Sequence, residues 1–85
     1  MKVGYSKNFI KKAQKLPPKV RQQLIARIEV FSKNPLHSSL RNHQLAGRYK
    51  EYRSINITGD YRALYTQKND EVIFDQVGTH SQLYG

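Results

Sequence analysis

Hydrophobic residues follow two different periods along this chain, and the period changes near its middle. In the first half they recur every three or four positions, which predicts two helices. The first covers roughly residues 6–15, with Ser6 as a candidate N-cap. Pro17 and Pro18 end it and begin the second, which Asn34 and Pro35 end, because proline fits a first helical turn but not a helix interior. We therefore expect a helical hairpin whose apolar inner face consists of Phe9, Ile10, Ala13, Leu16, Val20, Leu24, Ile25, Ile28 and Phe31.

The second half has the shorter period that is typical of strands. A loop over residues 35–47 comes first, and residues 2–5 supply an opening strand that belongs at an edge of the sheet. The sequence predicts one α+β domain over residues 1–85, with a two-helix hairpin packed on one face of a mainly antiparallel four-stranded sheet, in the order β-α-α-β-β-β. Short turns with Gly, Asn and Asp separate the three runs of this meander, at residues 49–57, 61–67 and 71–77.

The charge of the chain indicates the class of partner that it binds. The net charge is +9 and the chain has no cysteine, which excludes disulfides and thiolate metal sites. Residues 1–50 hold twelve Lys and Arg against one acid, Glu29, so nearly all the positive field comes from the first half. A nucleic acid, an acidic protein and an anionic membrane all fit such a field.

The distribution of apolar residues bears on the membrane question. No apolar run exceeds three residues, as in Leu24-Ile25-Ala26, so neither a signal peptide nor a membrane span is predicted. We expect a cytoplasmic protein with no membrane partner.

Acid/base groups and cations gather in the second half. His43 precedes the first strand of the meander and His80 follows the last, so the two imidazoles approach one surface if those strands are neighbours. Arg62 follows Asp60 by two residues, and the period of a strand places both side chains on the same face. With Lys50 as a further cation, this set suits cleavage of a phosphodiester.

Other ligand classes find less support. His37 is the third histidine, and the three show neither a His-x-x-x-His nor a His-Glu-x-x-His spacing, so a metal site is not predicted. Tyr84 lies beyond the last strand, where its ring either stacks on an unpaired base or packs the tail onto the core.

A series of short segments completes the picture: His43-x-Leu45-x-Gly47, Tyr52-Arg53, Asp60-Tyr61-Arg62, Tyr65 and Val77-Gly78-Thr79-His80-x-x-Leu83-Tyr84-Gly85. Together they resemble the RelE/ParE superfamily of bacterial type II toxins, and within it the YafQ-like ribosome-dependent mRNA interferases. Tyr5-Ser6 and the Leu16-Pro17 corner fit the helical hairpin of that family, so the resemblance extends over essentially the whole chain.

The resemblance implies a reaction. Such toxins enter the ribosomal A site, where the ribose 2′-OH attacks the adjacent phosphate and leaves a 2′,3′-cyclic phosphate and a 5′-OH. Neither metal nor cofactor is implied, because the nucleophile belongs to the RNA. By resemblance His80 is the general acid, His43 or Asp60 activates the 2′-OH, and Arg62 stabilises the developing charge.

The resemblance also implies contacts and partners. Lys50 and Arg53 are substrate-binding candidates, as are Tyr61 and Tyr84. The partners implied are the ribosome with its mRNA and an acidic antitoxin from the same operon, whose flexible segment blocks the site.

Two departures from the family pattern leave alternatives open. Asn56 stands where YafQ-like relatives often have another histidine, and Tyr61 stands where they commonly have tryptophan. A ParE-like toxin that binds gyrase without cleaving RNA is one alternative, and a basic RNA-binding module without catalysis is another. Replacing His80 with alanine separates them, because only an enzyme loses toxicity.

Overall fold

A computed structural model describes residues 1–84, which form one five-stranded sheet and three helices. Gly85, the last residue of the tail motif, lies outside the described residues. The elements are β1 (Lys2–Tyr5), α1 (Lys7–Gln14), α2 (Pro18–Lys33), β2 (His43–Gln44), β3 (Arg53–Asn56), β4 (Tyr61–Lys68), β5 (Glu71–Thr79) and α3 (His80–Tyr84).

The predicted α+β class is confirmed. The sheet order is β1-β5-β4-β3-β2, and β1 pairs with β5 in parallel while every other pair is antiparallel. The opening strand lies at an edge, as expected. The meander therefore forms the centre of the sheet and the two shortest connections run between β3, β4 and β5.

Two details of the strand prediction are wrong. Residues 35–47 are not all loop, because β2 adds a fifth strand beside β3, and the run predicted over residues 49–57 is a strand only from Arg53 to Asn56. β2 has two exposed residues, which is too short to show alternation. Gly47 begins a 3₁₀ turn, Gly47–Tyr49, with φ at +65°, a conformation that glycine adopts without strain and that ends any strand there.

The ends of the first two helices are confirmed. The Ser6 hydroxyl accepts a hydrogen bond from the Phe9 N–H at 3.1 Å, as an N-cap does. Pro17 caps α2, which ends where the Asn34 N–H donates to the Val30 carbonyl.

The apolar face of the hairpin is confirmed only in part. Phe9, Leu24 and Phe31 are buried, whereas Ile10 and Ile25 are 45% and 61% exposed. A helix that packs on one sheet face buries one stripe, and these two isoleucines lie at the flank of that stripe. They line a groove between α1 and α2 instead of the core.

The main core lies between the hairpin and one face of the sheet, which we call the helix face. Phe31 of α2 makes edge contacts with Tyr65 and Phe74, at ring-centroid distances of 4.9 and 5.2 Å. Leu64 precedes Tyr65 on β4, so its side chain points to the opposite face, which we call the open face. Leu83 of α3 is buried as well, apart from the main core cluster.

No helix among residues 1–84 is long and apolar enough to cross a membrane.

Candidate active site

The register of the sheet assigns a set of polar side chains to the open face. Ser54 pairs with Leu64 on one side and His43 on the other, so all three point the same way. Asn56 and Arg62 pair with each other, two residues further along β3 and β4, and share that face. The polar residues therefore converge on the side of the sheet that the helical hairpin leaves uncovered.

These residues line a cleft of about 790 Å³, which we call the open-face cleft. Among the described residues that line it there is no Asp or Glu, so the cations in its walls are not neutralised locally. A cleft with one sign of charge concentrates ligands of the other sign. Its polar walls are formed by Arg41, Asn42, His43, Asn56, Arg62 and His80.

The His43 ring has a defined tautomer. Its Nδ1 lies 2.8 Å from the Arg41 carbonyl oxygen. A carbonyl oxygen only accepts, so Nδ1 carries the hydrogen and the neutral ring keeps its lone pair on Nε2. The side chain is exposed in the cleft and is thus a proton acceptor open to a ligand.

The loop before His43 is fixed to the core by Asn42. Its Nδ2 donates to the Pro35 carbonyl at 2.9 Å and to the Tyr65 hydroxyl at 2.8 Å, and its Oδ1 accepts from Arg53 Nε at 2.8 Å. Three hydrogen bonds to one amide therefore connect this loop to residues of the α2–β2 segment, β3 and β4.

His80 is held by the cap of α3. The Thr79 hydroxyl accepts from the Gln82 N–H at 3.1 Å, and Gln82 Oε1 accepts from the Thr79 N–H at 2.8 Å, which is a capping box. A Cβ on residue 78 would lie 2.9 Å from that Oε1, so Gly78 leaves the room the cap needs. The His80 N–H also donates to the Asp60 carbonyl at 3.1 Å.

An aromatic row fixes the other end of α3. The His80 ring contacts the Tyr84 ring edge-on at 4.8 Å, and Tyr84 contacts Tyr49 in the same way at 5.6 Å. The Tyr49 hydroxyl donates to the Leu83 carbonyl at 2.7 Å. The tail is therefore packed onto the open face, and the half-buried Tyr84 ring still lines the cleft.

Arg62 is half-buried and its guanidinium is anchored. Nη1 donates to three carbonyls, of Thr58 at 3.0 Å, Gly59 at 3.2 Å and Tyr61 at 3.0 Å. These bonds orient a fixed cation in the cleft wall, as recognition of a phosphate oxygen requires.

The cleft brings together four of the residues expected from the sequence: His43, Arg62, His80 and Tyr84. The first and last strands of the meander are not neighbours, because β4 lies between them. The two histidines share the cleft because α3 folds back over the open face.

The other four predicted residues do not line the cleft. Asp60 does not line the cleft with Arg62; β4 begins at Tyr61, and Asp60 lies in the exposed bend before it. Tyr61 alternates with Arg62 and packs against the main core. Arg53 pairs with Tyr65 on the helix face, and Lys50 is exposed, with its carbonyl bonded to the Gln44 side chain.

Seven of the eleven lining residues were not predicted as site residues, and two of these seven have unusual conformations or surroundings. Arg41 has φ +46° and ψ +45°, a left-handed conformation that no sequence pattern announces for arginine. Ser54 is 1% exposed, and its hydroxyl has no hydrogen-bond partner within residues 1–84. The capping box, by contrast, is visible in the sequence as Thr79-x-x-Gln82.

A carboxyl group outside the cleft connects β5 to the segment that precedes β3. The Tyr52 hydroxyl donates to Asp75 Oδ2 at 2.8 Å, and this bond, with burial, raises the pKa of Tyr52. Burial favours a higher pKa for Asp75, but hydrogen bonds from Ser6, Tyr52 and Gln76 outweigh it and hold this pKa below its usual value.

Comparison with known proteins identifies relatives of the whole chain. The family model described as a bacterial toxin of type II toxin–antitoxin systems, YafQ, matches residues 1–85. A YafQ toxin relative from Haemophilus influenzae is 29% identical over 92 residues, which covers 96% of this chain and 90% of the relative.

Solved structures agree in fold. YafQ from E. coli strain BL21(DE3) is 26% identical, with a TM-score of 0.77 over 98% of this chain and 97% of that one. The E. coli DinJ–YafQ toxin–antitoxin complex matches at 26% identity and a TM-score of 0.69, over 98% of this chain and 96% of that one.

Proposed function

The chain belongs to the YafQ family of type II toxin–antitoxin toxins, and from that premise we propose that it is an mRNA endoribonuclease acting in the ribosomal A site. One observation carries the proposal. Two histidines and an anchored arginine line a single cleft in which, among the described residues, there is no carboxylate. Polyanion binding and proton transfer are thus available at one place.

In the proposed reaction the 2′-OH of the RNA is the nucleophile. Nε2 of His43 accepts the proton of this hydroxyl as the bond from O2′ to phosphorus forms. The bond from phosphorus to O5′ breaks, and protonated His80 gives a proton to the departing O5′. The products are a 2′,3′-cyclic phosphate and a 5′-OH, and no metal is required for the nucleophile.

The sequence left His43 and Asp60 as alternative bases, and the geometry favours His43. Its Nδ1–H is bonded to the Arg41 carbonyl at 2.8 Å, which leaves Nε2 as the acceptor. Asp60 lies in an exposed bend, and its carbonyl oxygen serves to hold the His80 main chain. We assign Asp60 the role of positioning His80.

The remaining cleft residues bind the substrate in this proposal. Arg62 stabilises the charge that develops on the non-bridging phosphate oxygens, an electrostatic contribution that is large in preorganised sites. Tyr84, half-buried against Tyr49, presents the rest of its ring to a base of the bound mRNA. Lys50, Arg53 and Tyr61 lie outside the cleft lining, so their contribution is expected to be smaller.

Primer extension on a reporter mRNA translated in a reconstituted system tests the proposal. The native protein, His80→Ala and a reaction without ribosomes are compared, with His37→Asn as the matched control. His37 lies outside the cleft lining and caps the 3₁₀ turn Ser38–Leu40, and asparagine keeps a side-chain acceptor for that cap. We expect discrete cuts with 5′-OH ends, in register with codons, from the native protein and His37→Asn only.

Other results point elsewhere. Cuts that persist without ribosomes mean a free ribonuclease. A folded, growth-inhibiting protein that makes no cuts overturns the nuclease proposal and leads to a gyrase assay, since a binding toxin needs none of these histidines.

An acidic antitoxin is the proposed protein partner, as in the E. coli DinJ–YafQ complex. The groove between α1 and α2, which we call the hairpin groove, supports this partner. It exposes Ile10 and Ile25, and its lining carries two basic residues, Arg21 and Lys33, against one acid, Glu29. An amphipathic segment with apolar residues on one side and carboxylates beside them complements both features. We expect this protein and its antitoxin to act in the cytoplasm.

A further inference from the structure

We infer that Arg41 is a second phosphate-binding cation of the open-face cleft and that its main chain positions His43; this inference rests on the proposed function of the same site. Three features of Arg41 carry it: the backbone conformation, the carbonyl contact and the unneutralised side chain.

The backbone of Arg41 is in a conformation that costs free energy. A left-handed φ brings Cβ close to the carbonyl oxygen, which is unfavourable for any residue other than glycine. At Arg41 φ is +46°, and the conformation is held by its N–H bond to the Ser38 carbonyl at 3.2 Å and by the anchored side chain of Asn42 next to it. Such strain persists where the surrounding structure enforces it, and it is concentrated at functional sites.

The strained conformation determines where the Arg41 carbonyl lies. It places that oxygen 2.8 Å from His43 Nδ1, two residues along the chain. The bond orients the imidazole and leaves Nε2 as its acceptor. Arg41 therefore acts on the proposed base through its main chain, independently of its side chain.

The side chain of Arg41 supplies charge to the same place. It is exposed and lines the cleft with Arg62. In the part of the chain that the structure describes, the one ion pair joins the N-terminal amine and Asp70, so no carboxylate neutralises the Arg41 guanidinium. The free guanidinium of Arg41 and the anchored guanidinium of Arg62 line the same cleft. Such a pair can bind two phosphate groups, or two oxygens of a single phosphate group.

Substitution by glycine separates the two roles. Arg41→Gly removes the guanidinium but adopts the left-handed backbone without the Cβ clash, so His43 stays in place. Arg41→Ala removes the guanidinium and keeps the clash. Lys68→Ala is the matched control, because it removes one positive charge at the β4–β5 turn, at the far end of β4 from Arg62.

Two measurements are made on each variant of the full chain. The first is the rate of reporter mRNA cleavage on ribosomes under single-turnover conditions. The second is titration of the protein with inorganic phosphate, followed by ¹H–¹⁵N spectra of the imidazoles, which also report the tautomer of His43. We expect Arg41→Gly to lower the cleavage rate and the phosphate affinity by about 10-fold, with His43 Nδ1 still protonated, while Lys68→Ala matches the native protein.

Each contrary result is decisive for one role. Native-like phosphate affinity and cleavage in both Arg41 variants overturn the cation role. Loss of the Nδ1–H signal in Arg41→Gly overturns the positioning role, and so does its retention in Arg41→Pro, whose ring excludes the left-handed backbone of residue 41. If the native protein binds phosphate through Arg41 but cuts no mRNA, the proposed function fails and the anion site stands.

Discussion

The hairpin groove and the open-face cleft lie on opposite sides of one sheet and differ in the chemistry they expose. The groove, of about 640 Å³, exposes isoleucines beside basic residues, whereas the cleft exposes histidines and arginines without a carboxylate among its described lining. Covering apolar surface with protein lowers the free energy, and so does binding an anion to cations that have no carboxylate partner. The difference teaches that one small sheet presents two chemically distinct surfaces, one on each face.

The two sides also differ in how their residues contribute to stability. The helix face is a packed aromatic cluster, in which Phe31 contacts both Tyr65 and Phe74. The open face contains a left-handed Arg41 and a buried Ser54 hydroxyl without a partner in the described chain, and both features lower stability. Strained backbone is concentrated at functional sites, so the left-handed Arg41 favours a functional role for the cleft.

The largest effect is expected for His80→Ala. Loss of a general acid lowers the rate by about 10²–10⁴-fold. The fold should survive, because the His80 side chain is exposed and the capping box beside it uses Thr79 and Gln82. Single-turnover cleavage and the melting temperature measure both outcomes. If the variant has a lower melting temperature and its loss of activity only matches the loss of folded protein, His80 has a structural role and not a catalytic one.

The second largest effect is expected on antitoxin binding at the hairpin groove. Ile25→Glu places a carboxylate in the hairpin groove, where an acidic antitoxin segment is repelled and loses an apolar contact, so affinity should fall about 10- to 100-fold. Cleavage should not change, since Ile25 lies across the sheet from the cleft. Leu36→Glu is the control, because Leu36 is exposed but lines neither surface. Titration calorimetry with the cognate antitoxin measures the affinity of both variants. An equal loss of affinity in the two would mean that the antitoxin does not bind in the hairpin groove.

The features that the sequence predicted are set by local backbone preferences, whereas those that it missed depend on contacts within the folded protein. Ser6, Pro17 and the turns of the meander act through local backbone preferences, so the first two helices and the strands β4 and β5 were predicted correctly. Asp60 was placed with Arg62 because a two-residue period was assumed to reach beyond β4. The left-handed backbone of Arg41 is held in part by Asn42, whose side chain binds Arg53 and Tyr65, 11 and 23 residues away, and such contacts leave no local signal in the sequence.

A smaller effect, of opposite sign, is expected for Ser54→Ala. A buried hydroxyl without a partner costs about 1–3 kcal/mol, and alanine removes it with little change of volume. The free energy of unfolding should rise by about 1 kcal/mol, or the melting temperature by about 4–8 °C. Ser32→Ala is the control, because the Ser32 hydroxyl is exposed and donates to the Ile28 carbonyl at 3.0 Å. A loss of stability in Ser54→Ala instead contradicts the view that the open face is less optimised than the helix face.

The smallest effect concerns Asp75, which connects the two sides: its carbonyl accepts from Asn8 of α1 at 3.1 Å and its carboxylate from Tyr52 near the cleft. The lowered pKa of Asp75 means that the folded state favours the carboxylate, so its contribution is present above the ordinary pKa and is lost as pH falls through the lowered one. Asp75→Asn keeps an acceptor for Tyr52 and should cost about 0.5–1 kcal/mol at neutral pH. Denaturant unfolding from pH 7 to 3 should show this difference shrinking towards the acid end, with a single transition throughout. Two separate transitions in the variant would mean that Asp75 couples two sides that otherwise unfold independently, and a pH-independent difference would exclude the charge as the cause.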